Sequence, residues 1–148
     1  MKNLFTRILY KITRDLITFF VFQKPNRIVF VMESYSGSNS YALYKLADKK
    51  IRSEYDLKLL LGLPLDHSLI EYIKWYTIIT SAKIIFTTHM SVKPSKKHIH
   101  FQLWHGLPIK KVGVMEHGIQ EKFKPLKQWL DVNFIMSCSE TYTTFLNA

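Results

Sequence analysis

The feature that most constrains this chain is a series of short apolar runs, rich in β-branched residues, that alternate with longer stretches of helical periodicity. The first run, residues 27–32, is Arg-Ile-Val-Phe-Val-Met and is apolar on both sides of an extended backbone. Runs of that kind belong to strands buried on both faces, as in parallel sheets. Pro25 and Asn26 separate it from what precedes, because proline cannot continue a helix. Further strands are expected at 57–61, where Gly62 and Pro64 supply the stop, and at 84–88, 100–103 and 132–136. Between them the spacing predicts a helix from Tyr41 to about Lys49, capped by Asn39 or Ser40 and turning Leu43 and Leu46 inward. A second helix carries Leu69, Ile70, Ile73, Trp75 and Tyr76, a third spans 120–130, and a last one begins at Ser139. Strands alternating with helices imply an α/β fold whose parallel sheet is covered on both faces. In open sheets of this class, ligands gather beyond the carboxyl ends of the strands.

Size and charge narrow the possibilities. With 148 residues the chain can build one domain with a proper core but not two, and 47% hydrophobic against 22% charged residues argues against disorder. Lys and Arg number 21 against 11 for Asp and Glu, so the formal charge of +10 favours anionic partners: phosphate-rich polymers, acidic lipid surfaces or nucleic acid. The aromatic residues fall within strand and helix patterns rather than on a stacking motif, so nucleic acid is not expected. Cys138 is the only cysteine, which excludes an intrachain disulfide and cysteine-based redox or zinc sites and fits a reducing compartment. It sits in a Met-Ser-Cys-Ser run at a strand end, where a small, half-buried structural residue is the expectation rather than a nucleophile.

The first 24 residues form a unit distinct from 25–148. Leu4, Phe5, Ile8, Leu9, Ile12, Leu16 and Phe19 recur at helical spacing, with Lys2, Arg7, Lys11 and Arg14 mostly on the other side. A spanning helix needs roughly 20 mainly apolar residues, and the uncharged stretch at 16–23 is too short. No small-residue cleavage site follows it, which argues against a signal peptide. Two readings stand side by side: a basic amphipathic helix lying on an anionic membrane surface, and a helix packed against its own or another domain.

The chemistry is concentrated at 101–111, Phe-Gln-Leu-Trp-His-Gly-Leu-Pro-Ile-Lys-Lys, an apolar run that delivers reactive groups to its carboxyl end. His105 can take a proton from a hydroxyl at neutral pH, since the reference pKa of histidine lies near 6.5. Gly106 and Pro108 set a tight turn, and Lys110 and Lys111 follow where point charges can hold a phosphate. Taken alone, a histidine beside Trp104 is more often a hydrogen-bonded structural residue than a catalyst. The polar loop at 34–40, with Gly37, lies at another strand end, so Ser36, Ser38, Asn39, His105 and Lys110 can line one crevice. That loop has neither a P-loop Lys-Ser/Thr pair nor a GxGxxG fingerprint, so no ATP or NAD site is expected. His98 and His100 alternate on a strand and share a face, but no third ligand stands at metal spacing. Lys93, Lys96 and Lys97 read as a solvated basic loop, with contact to a polyanion as the alternative; Glu116 and His117 precede Gly118 and could belong to a mobile loop over the site. No carboxylate pair is placed for glycoside hydrolysis.

Residues 102–111, Gln-Leu-Trp-His-Gly-Leu-Pro-Ile-Lys-Lys, resemble the hallmark segment of the CDP-glycerol glycerophosphotransferases, which build or prime the poly(glycerol phosphate) chains of bacterial teichoic acids. Residues 33–40, Glu-Ser-Tyr-Ser-Gly-Ser-Asn-Ser, are similar to the family's first glycine-bearing loop, and 131–137, Asp-Val-Asn-Phe-Ile-Met-Ser, to the strand closing its N-terminal domain. The resemblance runs from about Arg27 to the end. Leu107 departs from it, standing where the family more commonly has a small hydroxyl residue. The resemblance implies a Rossmann-like domain, the N-terminal half of a GT-B-type fold, without the C-terminal domain that binds the CDP part of the donor. It implies transfer of glycerol phosphate from CDP-glycerol to a lipid-linked glycerol phosphate acceptor, with no cofactor and no metal. His105 would be the general base, and Ser36, Gly37, Ser38, Asn39, Trp104, Gly106, Lys110 and Lys111 would contact substrate. Such a protein would lie on the cytoplasmic face of the membrane, and without its second domain it is expected to be nearly inactive. A non-catalytic, membrane-associated module binding anionic polymer or lipid-linked precursor is the alternative.

Overall fold

The computed structural model describes residues 4–32, 38–62, 68–88, 94–103 and 132–136. The helices expected at 120–130 and from Ser139, together with Cys138, Lys93, Glu116 and His117, lie outside these residues. In chain order the elements are α1 (Leu4–Phe20), β1 (Arg27–Met32), α2 (Asn39–Leu46), α3 (Lys49–Glu54), β2 (Asp56–Leu61), α4 (Leu69–Thr80), β3 (Ile84–Thr87), β4 (Ile99–Gln102) and β5 (Phe134–Ile135). The five strands form one sheet in the order β2-β1-β3-β4-β5, parallel throughout. The expected α/β fold is therefore present, and its order places a topological switch between β1 and β3, where the first connection runs one way along the sheet and later ones the other.

Alternation along the strands sorts side chains onto two faces with different chemistry. One face is a ladder of aromatic rings, because the register sets Phe30, Phe86, Phe101 and Phe134 side by side across four strands. Successive centroids are 5.1, 5.0 and 4.7 Å apart with the rings near parallel. Helix α2 lies on this face and sets the edge of Tyr44 against Phe30. The opposite face buries Val29, Val31 and Leu60 with Ile85, and α4 covers it with Trp75 and Ile79. Each such side chain contributes about 1.5–3 kcal/mol on burial. Across that face the composition changes from Val29 and Val31 on β1 to His100 and Gln102 on β4, all buried.

Local caps account for where the helices start. Ser38, rather than Asn39 or Ser40, caps α2: its hydroxyl accepts from the Tyr41 amide, and Ser40 turns inward instead. Ser40 and Tyr44 share the inward face one turn apart, so Leu43 and Leu46 point outward, Leu46 being 80% exposed. The expected single helix to Lys49 is two helices, because Asp48 caps a new one by accepting from the Ile51 amide at 2.8 Å. Arg52 joins the two by donating to the carbonyls of Tyr44 and Ala47 at 2.6 and 3.0 Å. Helix α4 begins with a capping box between Ser68 and Glu71. After β2 the chain turns at Gly62, whose φ of 77° is the left-handed conformation that glycine adopts without steric cost.

Helix α1 docks on α4, but not through its most apolar stripe. Tyr10 is the buried contact, with its ring centroid 4.4 Å from that of Tyr72 in an edge-on arrangement; the Tyr72 hydroxyl donates to the Tyr10 carbonyl at 3.1 Å. Burial pushes the phenol of Tyr72 well above its ordinary value and raises that of Tyr76 as well. The stripe Ile8, Ile12, Leu16, Phe19 remains exposed. The packed and the surface-facing readings of this helix thus concern two different sides of it. Among the described residues no helix is long and apolar enough to cross a membrane.

Candidate functional site

The carboxyl ends of β1, β3 and β4 converge on a network of hydroxyl and amide groups. Thr88, just past β3, lies at its centre. Its hydroxyl accepts from the Ser40 amide at 2.9 Å and shares hydroxyl contacts with Ser40 at 2.9 Å and Ser38 at 3.4 Å. The Thr88 carbonyl accepts from Gln102 Nε2 at 2.9 Å. Thr87 donates to Gln102 Oε1 and lies 2.8 Å from His100 Nε2. With the Thr87 proton committed to Gln102, the His100 contact requires a proton on Nε2. Buried polar groups are costly unless paired, and here they pair with one another across three elements.

Asn39 completes the arrangement. It is exposed at the head of α2 and donates from Nδ2 to the Leu103 carbonyl at 3.3 Å. Leu103 in turn donates its amide to the Thr87 carbonyl at 2.7 Å, so the chain leaves β4 held from two sides. The next residues in sequence are Trp104 and His105. Of the residues expected at the site, Ser38 and Asn39 are brought to this edge; Ser36, Gly37, Trp104, His105, Gly106, Lys110 and Lys111 lie outside the described residues. The Ser38 hydroxyl is occupied by capping and by Thr88, whereas Asn39 is open to solvent. The first turn of α2 also points its partial positive charge toward this edge, which favours anions.

Thr87, Thr88 and Gln102 were not among the residues expected at the site, although Gln102 opens the segment at 102–111. Their signal was the placement of hydroxyl and amide residues where runs expected to be buried come to an end. Only His100 of the histidine pair lies on β4, His98 standing just before it, and both are buried. His98 Nδ1 lies 2.7 Å from the Ala82 carbonyl, which also accepts from Gln23 Nε2 at 3.0 Å. Among the described residues no group of three or more His, Cys, Asp or Glu side chains gathers as a metal site would require.

Residues 11–148 match the model of the family CDP-Glycerol:Poly(glycerophosphate) glycerophosphotransferase. The chain belongs to this family. The match extends through the histidine-bearing segment at 102–111 and the loop before α2. No curated protein sequence matches the chain. Among solved structures, a histidine-to-alanine variant of the wall teichoic acid polymerase TagF superposes with a TM-score of 0.69 at 15% identity, covering 94% of this chain and 40% of the polymerase. A histidine-to-asparagine variant gives 0.70 at 14% identity over 95% and 38%, and the same variant soaked with CDPG gives 0.64 at 15% over 93% and 40%. At such identities the likeness establishes a shared fold, that of one part of a GT-B-type glycerophosphotransferase. The chain spans about two fifths of the length of these polymerases.

Proposed function

We propose that this chain is the half of a teichoic acid glycerophosphotransferase that carries the general base, and that it transfers glycerol phosphate from CDP-glycerol to a lipid-linked glycerol phosphate acceptor. A terminal hydroxyl oxygen of the acceptor attacks the glycerol-linked phosphorus of the donor. A new oxygen–phosphorus bond forms as the bond to CMP breaks, and the hydroxyl proton passes to His105. Lys110 and Lys111 balance charge on the phosphates, and Asn39 and the first turn of α2 face the same edge. Ser36, Gly37, Trp104 and Gly106 contact the substrate. Phosphoryl transfer depends mainly on positioning and charge stabilisation, so groups facing His105 across a domain cleft are needed as well.

The observation that carries this reading is a coincidence of place. The family match runs through 102–111, and the fold brings Asn39 against the carbonyl of Leu103, two residues before His105. The exposed stripe of α1, with basic residues on another side of the helix, supports attachment to an anionic, cytoplasmic membrane face where a lipid-linked acceptor resides.

The test is transfer of radiolabelled glycerol phosphate from CDP-glycerol to a lipid-linked acceptor by this chain, with and without a C-terminal domain supplied from a family member. Transfer is expected only with the added domain and is expected to fall by about 10²–10⁴ in His105→Ala. Robust turnover by the chain alone overturns the division into halves. Acceptor binding without transfer in either condition, unchanged in His105→Ala, overturns catalysis and leaves a binding module.

A further inference from the structure

At the amino ends of β3 and β4, the edge opposite the candidate site, a groove of about 350 Å³ opens between the tail of α1, the end of α4 and the segment entering β4. Its lining is divided in character. Phe19 and Phe22 contribute aromatic surface and are 79% and 87% exposed, while Ser95 and Lys97 contribute a hydroxyl and a cation. Lys96, next to Lys97, is exposed too. Gln23 and His98 also line the groove and are tied to the Ala82 carbonyl, so its inner wall is braced.

Phe19 belongs both to this groove and to the exposed stripe that begins at Ile8. The stripe therefore runs without a break into a cleft ending in a lysine. Large exposed aromatics beside a cation fit an amphiphile with a negative head: the rings cover hydrocarbon, and the ammonium pairs with phosphate. The volume is at the low end of the roughly 300–1,000 Å³ typical of small-molecule cavities. That is room for a headgroup and the first methylenes, with the remaining chain left in the bilayer.

We infer that this groove holds one anionic phospholipid of the membrane, its phosphate on Lys97 and Ser95 and the start of an acyl chain along Phe19 and Phe22. The inference rests on the membrane attachment proposed for α1 and adds to it a defined lipid site, remote from the acceptor-facing edge. A bound lipid would tether the segment entering β4 as well as the helix, fixing how the domain is oriented on the surface.

The experiment measures binding of monomeric dihexanoyl phosphatidylglycerol by NMR, beside sedimentation with phosphatidylglycerol and phosphatidylcholine vesicles. Lys97→Glu and Phe22→Ser change exposed side chains and are expected to weaken monomeric lipid binding at least tenfold. Ile12→Ser combined with Leu16→Ser is expected to retain monomeric binding and to lose sedimentation with phosphatidylglycerol vesicles. Vesicle binding without monomer binding, or monomer binding unaltered in Lys97→Glu and Phe22→Ser, overturns the groove and leaves the membrane attachment standing. Monomer binding without vesicle binding overturns the attachment and supports the groove. Equal binding of dihexanoyl phosphatidylcholine, or of glycerol 3-phosphate with no acyl chain, overturns the assignment to an anionic lipid.

Discussion

The two ends of the sheet are held by different chemistry. At the amino end Arg27 donates from Nε and Nη2 to Asp56 Oδ2 at 2.8 and 2.6 Å and from Nη1 to Ser81 Oγ at 2.6 Å, while Lys58 reaches Asp56 Oδ1 at 2.9 Å. At the carboxyl end the described ties are neutral: hydroxyls of Ser38, Ser40, Thr87 and Thr88, and amides of Asn39 and Gln102. An ion pair closes on itself and satisfies its own charge. A neutral network fixes geometry without adding a field. The difference is between an amino end that β1 and β2 close with paired charges and a carboxyl end tied without them.

The comparison can be broken hardest at Arg27. Arg27→Leu leaves the half-buried Asp56 carboxylate to Lys58 alone and unties Ser81, and is expected to lower stability by about 2–4 kcal/mol in urea denaturation, with a smaller loss for the more exposed Lys58→Met. A loss below 0.5 kcal/mol would mean that the amino end does not depend on its charges. At the other end, Thr88→Val keeps the shape but leaves the Ser40 amide and the Ser38 and Ser40 hydroxyls short of a partner. It is expected to cost about 1–3 kcal/mol, independent of salt, whereas the Arg27 effect shrinks as salt rises.

Acid sharpens the contrast further. Lys58, and then Arg27, hold the Asp56 carboxyl below the ordinary carboxylate range, against the opposing effect of its burial. A lowered folded-state value means that Asp56 stabilises fully above its unfolded pKa of about 4 and loses that contribution as pH falls through the folded value. The stability gap between wild type and Asp56→Asn should therefore be constant from pH 7 to about pH 5 and close below about pH 4, while the Thr88→Val gap stays level. The smallest effect is expected at Asn39, where a solvent-exposed bond to Leu103 contributes under about 1 kcal/mol. If Asn39 positions the residues after Leu103, Asn39→Ala nonetheless lowers kcat with the second domain supplied, leaving KM nearly unchanged.

Much of the architecture was legible because buried parallel strands write themselves as apolar, β-branched runs: residues 27–32 were located to the residue, and the other strands to within one or two. What escaped was whatever depends on partners distant in sequence. Ser38 wins the cap over Asn39 and Ser40 because Thr88, fifty residues on, draws Ser40 inward. The same contact sets the phase of α2 and turns Leu43 and Leu46 to solvent. Asp48 was a legible cap, since it precedes a helical run, but the smooth apolar spacing across it masked the break. Strand order, and with it the alignment of the four phenylalanines, follows from pairing that no local pattern encodes. At the candidate site, Asn39 and its neighbourhood at a strand end were legible from the glycine-bearing loop; the brace to Leu103 was not.

The phenylalanine ladder has a consequence for how far this sheet can drift. Rings about 5 Å apart match the spacing of neighbouring strands, so each strand contributes one rung at the same height. A slip of a single residue in any strand would swing its ring to the side occupied by α4 and replace it with a valine, an isoleucine or a polar residue. The ladder therefore acts as a levelling gauge: because the rungs are even, β1, β3, β4 and β5 end within one residue of a common level.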